Sequence, residues 1–264
     1  MVPLSQSTRL LEQKEKKGIF QIEALYPGYG VTIGNSLRRV LLSSLEGAAI
    51  TQVKIKGVPH EFSTIPGVKE DMLVIILNLK QVRFRSFSEE PQKAILKVKG
   101  EKVVTAASFQ VPSQIELISK DAPIATLTSS SAELEMEIVI EKGIGYAPVG
   151  RRITKEKQEI GAIFLDAIFS PVQRVSFKVD HMRVGDRTDF DRLLLEIETD
   201  GTITPAQALW QASNILLKQF EAVSHGIEKE AEEPERKEEK APKKNTTSKK
   251  KVGKAKATYK KKKK

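Results

Sequence analysis

The first strong pattern in the chain is a set of apolar residues at spacings of three and four near the N-terminus. Its members are Leu37, Val40, Leu41 and Leu45. This spacing puts them on one face of an α-helix, so the sequence predicts a short amphipathic helix. Gly34 and Asn35 stand where that helix should begin, and Gly47 stands where a left-handed C-terminal cap is usually glycine. The predicted helix is therefore about three turns long.

Two further helices are predicted by the same kind of pattern. The first covers residues 71–82, and its apolar positions are Met72, Ile75, Ile76 and Leu79. The second has the strongest start signal in the sequence. Thr204 is a candidate N-cap, Pro205 follows at the first helical position, and Gln207 lies three residues after the cap, which is a capping-box arrangement. We expect this helix to end near Ser224, about 30 Å from its start.

Elsewhere polar and apolar residues alternate, which predicts β-strands. Residues 134–141 alternate most regularly, so one side of that strand should be buried and the other exposed. Further strands are predicted at residues 18–25, 48–56, 94–98, 103–107, 114–118, 124–127, 172–179 and 193–197. Glycine and proline predict an irregular loop at residues 143–152, and residues 1–18 are expected to form a mobile polar arm. The fold class is α+β, with a β-rich block inserted between the outer elements.

The composition narrows the class of protein. The 264 residues can bury a substantial core, and cysteine is absent, which excludes disulfides and thiolate metal sites. No apolar run approaches the ~20 residues that span a bilayer, and the polar N-terminus is unlike a signal peptide. We therefore expect a cytoplasmic protein that does not enter a membrane.

The net charge of +10 is concentrated at one end of the chain. Residues 227–264 hold 16 Lys or Arg against 7 Glu, which leaves about +1 for the other 226 residues. The body is therefore not a generic basic nucleic-acid binder. The terminal segment has no apolar face, so we expect residues 227–264 to be disordered.

Several readings of the residues alone stay open. The helix with Arg38 and Arg39 could be an ordinary core helix with solvated arginines, and the glycines before it could hold a nucleotide, although their spacing does not fit the dinucleotide fingerprint. Three aspartates could form a magnesium cluster or pair with neighbouring arginines: Asp186, Asp189 and Asp191. The three histidines are scattered, which argues against an independent enzyme.

The stretch from Tyr26 to Thr51 resembles the start of the alpha subunit of bacterial DNA-directed RNA polymerase. Its motifs are GYG, TIGNSLRRVLLSS and EGAAIT. The resemblance continues through VPHEFSTIPGVKEDMLVIILNLK, GYAP, SPVQRV and RVGDRTDFDRLLLEIETDGTITPAQAL. In order and spacing these motifs cover nearly all of residues 10–226.

The resemblance implies a scaffold and not a catalyst. Two copies would dimerise, one holding the beta subunit and the other beta-prime, and the assembled nucleotidyltransferase would use magnesium carried by beta-prime. It implies a dimerisation domain at residues 1–47 and 173–226, built from an antiparallel sheet and two main helices. A β-rich domain at residues 48–172 would be inserted, and residues 227–264 would be a Lys-rich tail.

The resemblance also assigns roles to individual residues. The contacts to the large subunits would be made by Arg38, Arg39, Leu42, Arg183, Arg187, Thr188 and Asp189. The dimer interface would be lined by Leu37, Leu41, Leu209, Ile215, Leu216 and Phe220. By its position in the shared motif, the resemblance makes Arg39 the strongest single candidate. Its residue type suits this role, because arginine is enriched at interface hot spots.

The chain departs from the family at two places. Ile144 stands before the GYAP motif where a basic residue is expected, and we expect the Lys-rich tail to stand in place of the family's usual C-terminal helical DNA-binding domain. A tethered polycation should bind the DNA backbone without sequence preference. The tail residues expected to do so include Lys249, Lys250, Lys251, Lys260, Lys261 and Lys262. The alternative functions are a free-standing, basic-tailed nucleic-acid-binding or ribosome-associated protein and, third, a nucleotide-dependent enzyme.

Overall fold

The computed structural model describes residues 7–152 and 161–231. Its helices are α1 (Tyr29–Ser43), α2 (Met72–Leu79), α3 (Val149–Arg152) and α4 (Pro205–Ala231). The described residues up to Gln219 belong to one compact unit, and the segment that begins at Phe220 is a second unit, of which the structure describes the end of α4. In the described parts of the chain, no helix is both long and apolar enough to cross a membrane.

The strands are all antiparallel to their partners in the described ladders. They are β1 (Ser7–Lys14), β2 (Lys17–Leu25), β3 (Glu46–Ile55), β4 (Phe84–Ser86), β5 (Gln92–Lys99), β6 (Lys102–Thr105), β7 (Phe109–Gln110), β8 (Ile115–Leu117), β9 (Pro123–Leu127), β10 (Glu133–Ile144), β11 (Tyr146–Ala147), β12 (Ala162–Phe164), β13 (Ala167–Ile168), β14 (Val172–Val184) and β15 (Arg187–Thr199). Helices and antiparallel sheets in one chain confirm the predicted α+β class.

The first sheet has the order β1-β2-β15-β14 and carries α1 and the first part of α4 on one face. Alternate residues of β2 and β15 point into this layer, because successive side chains of a strand face opposite sides. The first core contains Phe20, Ile22, Leu37, Leu41, Leu45, Leu193, Leu195, Ile197, Ala208 and Ala212. Its members come from both ends of the described chain.

The second sheet has the order β7-β5-β10-β3-β4-β8, and β12 also pairs with β3. The alternation predicted at residues 134–141 is confirmed, since Leu134, Met136, Ile138 and Ile140 are each at most 1% exposed. Helix α2 packs its buried side chains into the same core, which draws on residues 48–165. The domain boundaries after residues 47 and 172 stay a prediction.

Two predictions near the N-terminus are wrong. Residues 7–14 form β1 and not a mobile arm, because their backbone pairs with β2 from Ser7 opposite Glu23 to Lys14 opposite Lys17. All of its described side chains are exposed, so the strand has no buried face to reveal it in the sequence. Helix α1 begins at Tyr29, earlier than predicted, and ends at Ser43.

Three other boundaries differ from the prediction. Gly47 lies in β3 and not in a helix cap, and residues 143–152 contain the end of β10, β11 and α3 where an irregular loop was expected. The end of α4 lies at Ala231, beyond the predicted Ser224. Its start is confirmed, because Thr204 N–H donates to Gln207 Oε1 (3.0 Å) and Gln207 N–H donates to Thr204 Oγ1 (3.2 Å).

Candidate assembly surfaces

The exposed side of α1 carries two arginines without a side-chain partner. Arg38 and Arg39 are exposed, and neither side chain makes a hydrogen bond or ion pair within residues 7–152 and 161–231. Leu42 lies about one turn further along and is 36% exposed. We name these three residues the arginine face of α1. Its combination of cationic forks and an apolar side chain suits contact with another protein.

The opposite side of α1 is buried in the chain's own core. Leu37 is 5% exposed and Leu41 is fully buried, and both pack in the first core. Of the five residues predicted on α1, the three of the arginine face are therefore at the surface of this chain. The two leucines support that surface from behind, where they contact the sheet.

The start of α1 is fixed by a side chain from the other end of the chain. Asp191 on β15 is 3% exposed, and its Oδ2 accepts hydrogen bonds from the N–H groups of Gly28 (2.9 Å) and Gly30 (3.1 Å). The first N–H groups of a helix have no partner within the helix, and a carboxylate there also interacts favourably with the helix dipole. Asp191 thus supplies the N-terminal cap that Gly28, lacking a side chain, does not provide.

Two glycines let α1 lie close to the sheet. A Cβ atom on Gly30 would lie 2.7 Å from Val179 Cγ1, and one on Gly34 would lie 2.7 Å from the Phe177 ring. The glycines of this stretch therefore serve close packing and a turn, and two of their N–H groups are already bound to Asp191. The arrangement does not favour the nucleotide-binding interpretation, which would need free N–H groups.

Residues 183–189 form the tip of the hairpin between β14 and β15, which we name the hairpin tip. Arg187 donates from Nε to Asp189 Oδ1 (3.0 Å) and from Nη2 to Asp189 Oδ2 (2.7 Å). Its Cζ lies 5.5 Å from the centre of the Tyr26 ring and 5.1 Å from that of Phe190. Hydrogen bonds and cation–π contacts together hold this guanidinium in one orientation at the surface.

Electrostatics at the hairpin tip favour the charged forms of both partners. The hydrogen bonds from Arg187 lower the pKa of Asp189, and the same bonds raise the pKa of Arg187. Arg183 donates from Nε to the carbonyl oxygen of Gly185 (2.8 Å), which closes the turn. Thr188 is exposed beside this pair.

The structure brings the hairpin tip together with the start of α1, through Tyr26 and Asp191. The arginine face lies further along the helix, and Arg38 is about 14 Å from Tyr29 at 1.5 Å per residue. Within the described residues, no hydrogen bond, ion pair or ring contact joins the arginine face to the hairpin tip. The two predicted contacts are thus separate surfaces connected by one helix.

The residues predicted on α4 differ in their exposure. Leu209, Ile215 and Leu216 are partly buried against the first core, whereas Phe220 is 65% exposed. The prediction did not include four other exposed apolar residues of α4: Trp210, Leu217, Val223 and Ile227. The signal for them is a seven-residue spacing, since Trp210 and Leu217, and likewise Phe220 and Ile227, lie seven positions apart. We name the three exposed residues of the segment that begins at Phe220, which are Phe220, Val223 and Ile227, the α4 stripe.

The acidic residues of this region do not form a metal site. Asp189 pairs with Arg187, Asp191 caps α1, and Asp186 lies 4.0 Å from Arg183 Nη2. Across residues 7–152 and 161–231 no group of three or more candidate ligands could hold a metal ion. Ile144 is 54% exposed, and the six predicted tail lysines, Lys249 to Lys251 and Lys260 to Lys262, lie outside the described residues.

Comparison of the sequence with known proteins gives matches that agree with one another. Residues 53–170 match the family model of the RNA polymerase Rpb3/RpoA insert domain. The chain is 50% identical over 210 residues to the DNA-directed RNA polymerase subunit alpha of Roseiflexus sp. (strain RS-1), which covers 80% of this chain and 64% of the relative. It is 51% identical over 204 residues to that of Herpetosiphon aurantiacus, covering 77% and 61%.

A third relative is covered over a larger share of its length. The DNA-directed RNA polymerase subunit alpha of Thermus thermophilus is 46% identical over 231 residues, which cover 84% of this chain and 72% of the relative. The chain spans less than two thirds of the Roseiflexus and Herpetosiphon relatives. Identity at this level over most of the described residues establishes common descent and a common fold. The chain belongs to the family of bacterial DNA-directed RNA polymerase alpha subunits.

Proposed function

We propose that two copies of this chain dimerise and form the scaffold on which the beta and beta-prime subunits assemble into the core of a cytoplasmic DNA-directed RNA polymerase. The observation that carries this proposal is the arginine face of α1 on a chain of this family. Two arginines, unpaired within the described residues, and a leucine project from a helix whose other side is fixed in the core. The catalytic magnesium of the assembled enzyme would belong to beta-prime.

The arginine face suits a protein contact for two reasons. An arginine can bind a carboxylate or backbone carbonyls with its planar fork while its aliphatic stem packs on apolar surface. The first two turns of α1 are fixed on the sheet by the close contacts of Gly30 and Gly34. The arginines are therefore presented from a rigid element, which lowers the entropy that a partner must remove on binding.

The α4 stripe supports the dimer part of the proposal. Its three exposed apolar residues lie on one side of the end of α4, which continues to Ala231. Exposed apolar patches of this kind mark protein contacts, and a symmetric dimer brings the same patch of both copies together. Leu209, Ile215 and Leu216 are predicted at the same interface and are partly buried against the first core.

Co-expression with the beta and beta-prime subunits of the same host tests the scaffold. We expect a tagged chain to recover both large subunits, at about one of each per two copies. Arg39→Ala should leave the dimer intact and reduce the recovered large subunits about tenfold, because truncation at the centre of an interface typically costs 1–2 kcal/mol or more. Arg9→Ala is the matched control, since Arg9 is an exposed arginine on β1.

The outcomes of this experiment separate the alternatives. Normal recovery of both large subunits by Arg39→Ala would contradict the assignment of the arginine face. Recovery of only nucleic acid or ribosomal proteins by the unchanged chain would instead favour a basic-tailed nucleic-acid-binding protein.

The composition of the tail favours a second activity, non-specific DNA binding. Residues 240–264 hold 13 lysines and no acidic residue. Neutralising phosphates with lysines releases counterions, so binding should weaken steeply as salt rises. Replacing the six lysines at 249–251 and 260–262 with glutamine in the full chain should lower DNA affinity at low salt and flatten its salt dependence. If the unchanged chain and the variant bound DNA with equal affinity and equal salt dependence, these lysines of the tail would not be the DNA-binding residues.

A further inference from the structure

The carboxylate of Asp191 links two segments that the proposed function uses separately. The residue lies on β15, four positions after Arg187, and is 3% exposed. Its Oδ2 accepts hydrogen bonds from the N–H groups of Gly28 and Gly30 at the start of α1. Its Oδ1 lies 3.5 Å from Nδ1 of His181, whose side chain is 80% exposed. Asp191 therefore faces the helix and not a partner protein.

These bonds fix a tight turn that precedes α1. The N–H of Tyr29 donates to the carbonyl oxygen of Tyr26 (2.9 Å), which closes a turn of four residues, and Gly28 within it has a φ of 88°. The two bonds to Asp191 come from Gly28 and Gly30. The carboxylate thus holds the turn from both sides of Tyr29.

The same turn places an aromatic ring against the hairpin tip. The Tyr26 ring lies 5.5 Å from Arg187 Cζ, and it makes edge-to-face contacts with Phe190 (6.2 Å) and Tyr29 (6.1 Å). Arg187 is exposed, and its side chain is restricted by Asp189 and by these rings. A change in the conformation of the turn would therefore move the Tyr26 ring and, with it, the guanidinium of Arg187.

We propose that Asp191 is a positioning residue for the large-subunit contact of the hairpin tip. It fixes the turn between Tyr26 and Gly30, and through the Tyr26 ring it fixes Arg187 in the orientation that a large subunit binds. The partner surface would present carboxylate or carbonyl oxygens to the guanidinium, since Arg187 offers only donors. This inference rests on the proposed scaffold function, but its first test needs no partner.

The first test follows the Arg187 Nε–H signal by NMR in the free, full-length chain. An aromatic ring shifts the resonance of a group above its face, so loss of the Tyr26 contact should move the Arg187 signal toward the value of a solvated arginine. We expect this movement in Asp191→Ala. Asp191→Asn should largely restore the signal, because an amide oxygen can still accept the two N–H groups.

The second test measures how tightly the dimer captures the large subunits. Asp191→Ala should weaken capture about tenfold, which corresponds to ~1.4 kcal/mol. In an Arg187→Ala background the same change should add little, because the proposed effect acts through Arg187. A purely structural role would instead weaken capture by the same factor in both backgrounds. Asp180→Ala is the matched control, since Asp180 lies on the neighbouring strand and pairs with Lys178 (2.9 Å).

Two further variants keep the inference testable if Asp191→Ala does not fold. Tyr26→Leu removes the ring and keeps Asp191, so it should move the Arg187 signal and weaken capture in the same way. Tyr26→Phe keeps the ring and removes only the hydroxyl, so it should change both less than Tyr26→Leu does. An unmoved Arg187 signal in Tyr26→Leu, or in a folded Asp191→Ala, would overturn the inference, as would equal losses of capture in both backgrounds. If Arg187→Ala captured the large subunits normally, the hairpin tip would not be a contact for them. The NMR measurement would then still show whether Asp191 positions Arg187.

Discussion

Arg85 on β4 donates a hydrogen bond of 2.8 Å from Nε to the carbonyl oxygen of Thr202, which joins the second sheet to the turn between β15 and α4. Asp200 completes this connection. Its Oδ1 accepts from the N–H (2.9 Å) and the hydroxyl (2.6 Å) of Thr202, and its Oδ2 lies 3.6 Å from Nε of Arg83. Arg85 on β4 and Arg83, just before that strand, thus both bind the turn between β15 and α4.

We expect Asp200→Ala to lower the free energy of unfolding by about 2–4 kcal/mol. The aspartate is 5% exposed, and its removal would leave Thr202 and the largely buried Arg83 without their partner. Urea denaturation followed by circular dichroism measures the change. Asp121→Ala is the control, because Asp121 is exposed and its removal should change stability by less than about 0.5 kcal/mol. Equal stability of both variants would show that the turn does not depend on the carboxylate.

Gly47 allows β3 to pass close to another part of the backbone. A Cβ atom at this position would lie 1.9 Å from the carbonyl oxygen of Phe169. We therefore expect Gly47→Ala to destabilise the fold by about 2 kcal/mol or more, since the backbone of one strand must move. Thermal unfolding of the purified chain measures this effect.

Gly226→Ala provides the control for Gly47. A Cβ at Gly226 meets nothing within 4 Å, and the residue lies in α4, where alanine is favoured over glycine by up to about 1 kcal/mol. Its melting temperature should stay equal or rise. A stable Gly47→Ala variant would mean that β3 and residue 169 separate at little cost.

The sequence predicted those elements whose signals are local. The capping box at Thr204 and Gln207 and the alternation in β10 were visible because each involves neighbouring residues. The start of α1 could not be predicted from local residues, because its cap comes from Asp191, which lies 163 residues from Gly28. The reason for Gly47 was likewise hidden, since the carbonyl that requires a glycine belongs to Phe169.

The candidate sites likewise divide into features that the sequence indicates and features that depend on the folded chain. The resemblance named the residues of the arginine face, and helical periodicity explains why Leu37 and Leu41 lie on the other side. Periodicity does not distinguish a stripe that packs on the chain's own sheet from one that is left exposed. Phe220 and Leu41 were therefore predicted alike, although one is 65% exposed and the other is fully buried.

The pair of Arg187 and Asp189 should open only in acid. The pKa of Asp189 is lowered from its ordinary value of 3.8 by the hydrogen bonds from Arg187. A lowered folded pKa means that the pairing is complete above pH 3.8 and is lost as the pH falls through the lower folded value. The Arg187 Nε–H signal should stay constant from pH 7 to about 4 and then shift. Asp189→Asn should remove this titration, and a midpoint at or above 3.8 would contradict the assigned pairing.

Phe220 offers the most direct test of the proposed dimer, because its ring is 65% exposed on a helix and therefore contributes little to the fold of one copy. An aspartate in its place would put a charge into an apolar interface of two identical helices, and the symmetry would bring two such charges together. We expect Phe220→Asp to have the mass of a monomer in light scattering at micromolar concentration, with unchanged helix content. Ala222→Asp introduces the same charge about 200° around the helix and should remain a dimer. If Phe220→Asp remained dimeric as well, the interface would have to lie on another part of the chain.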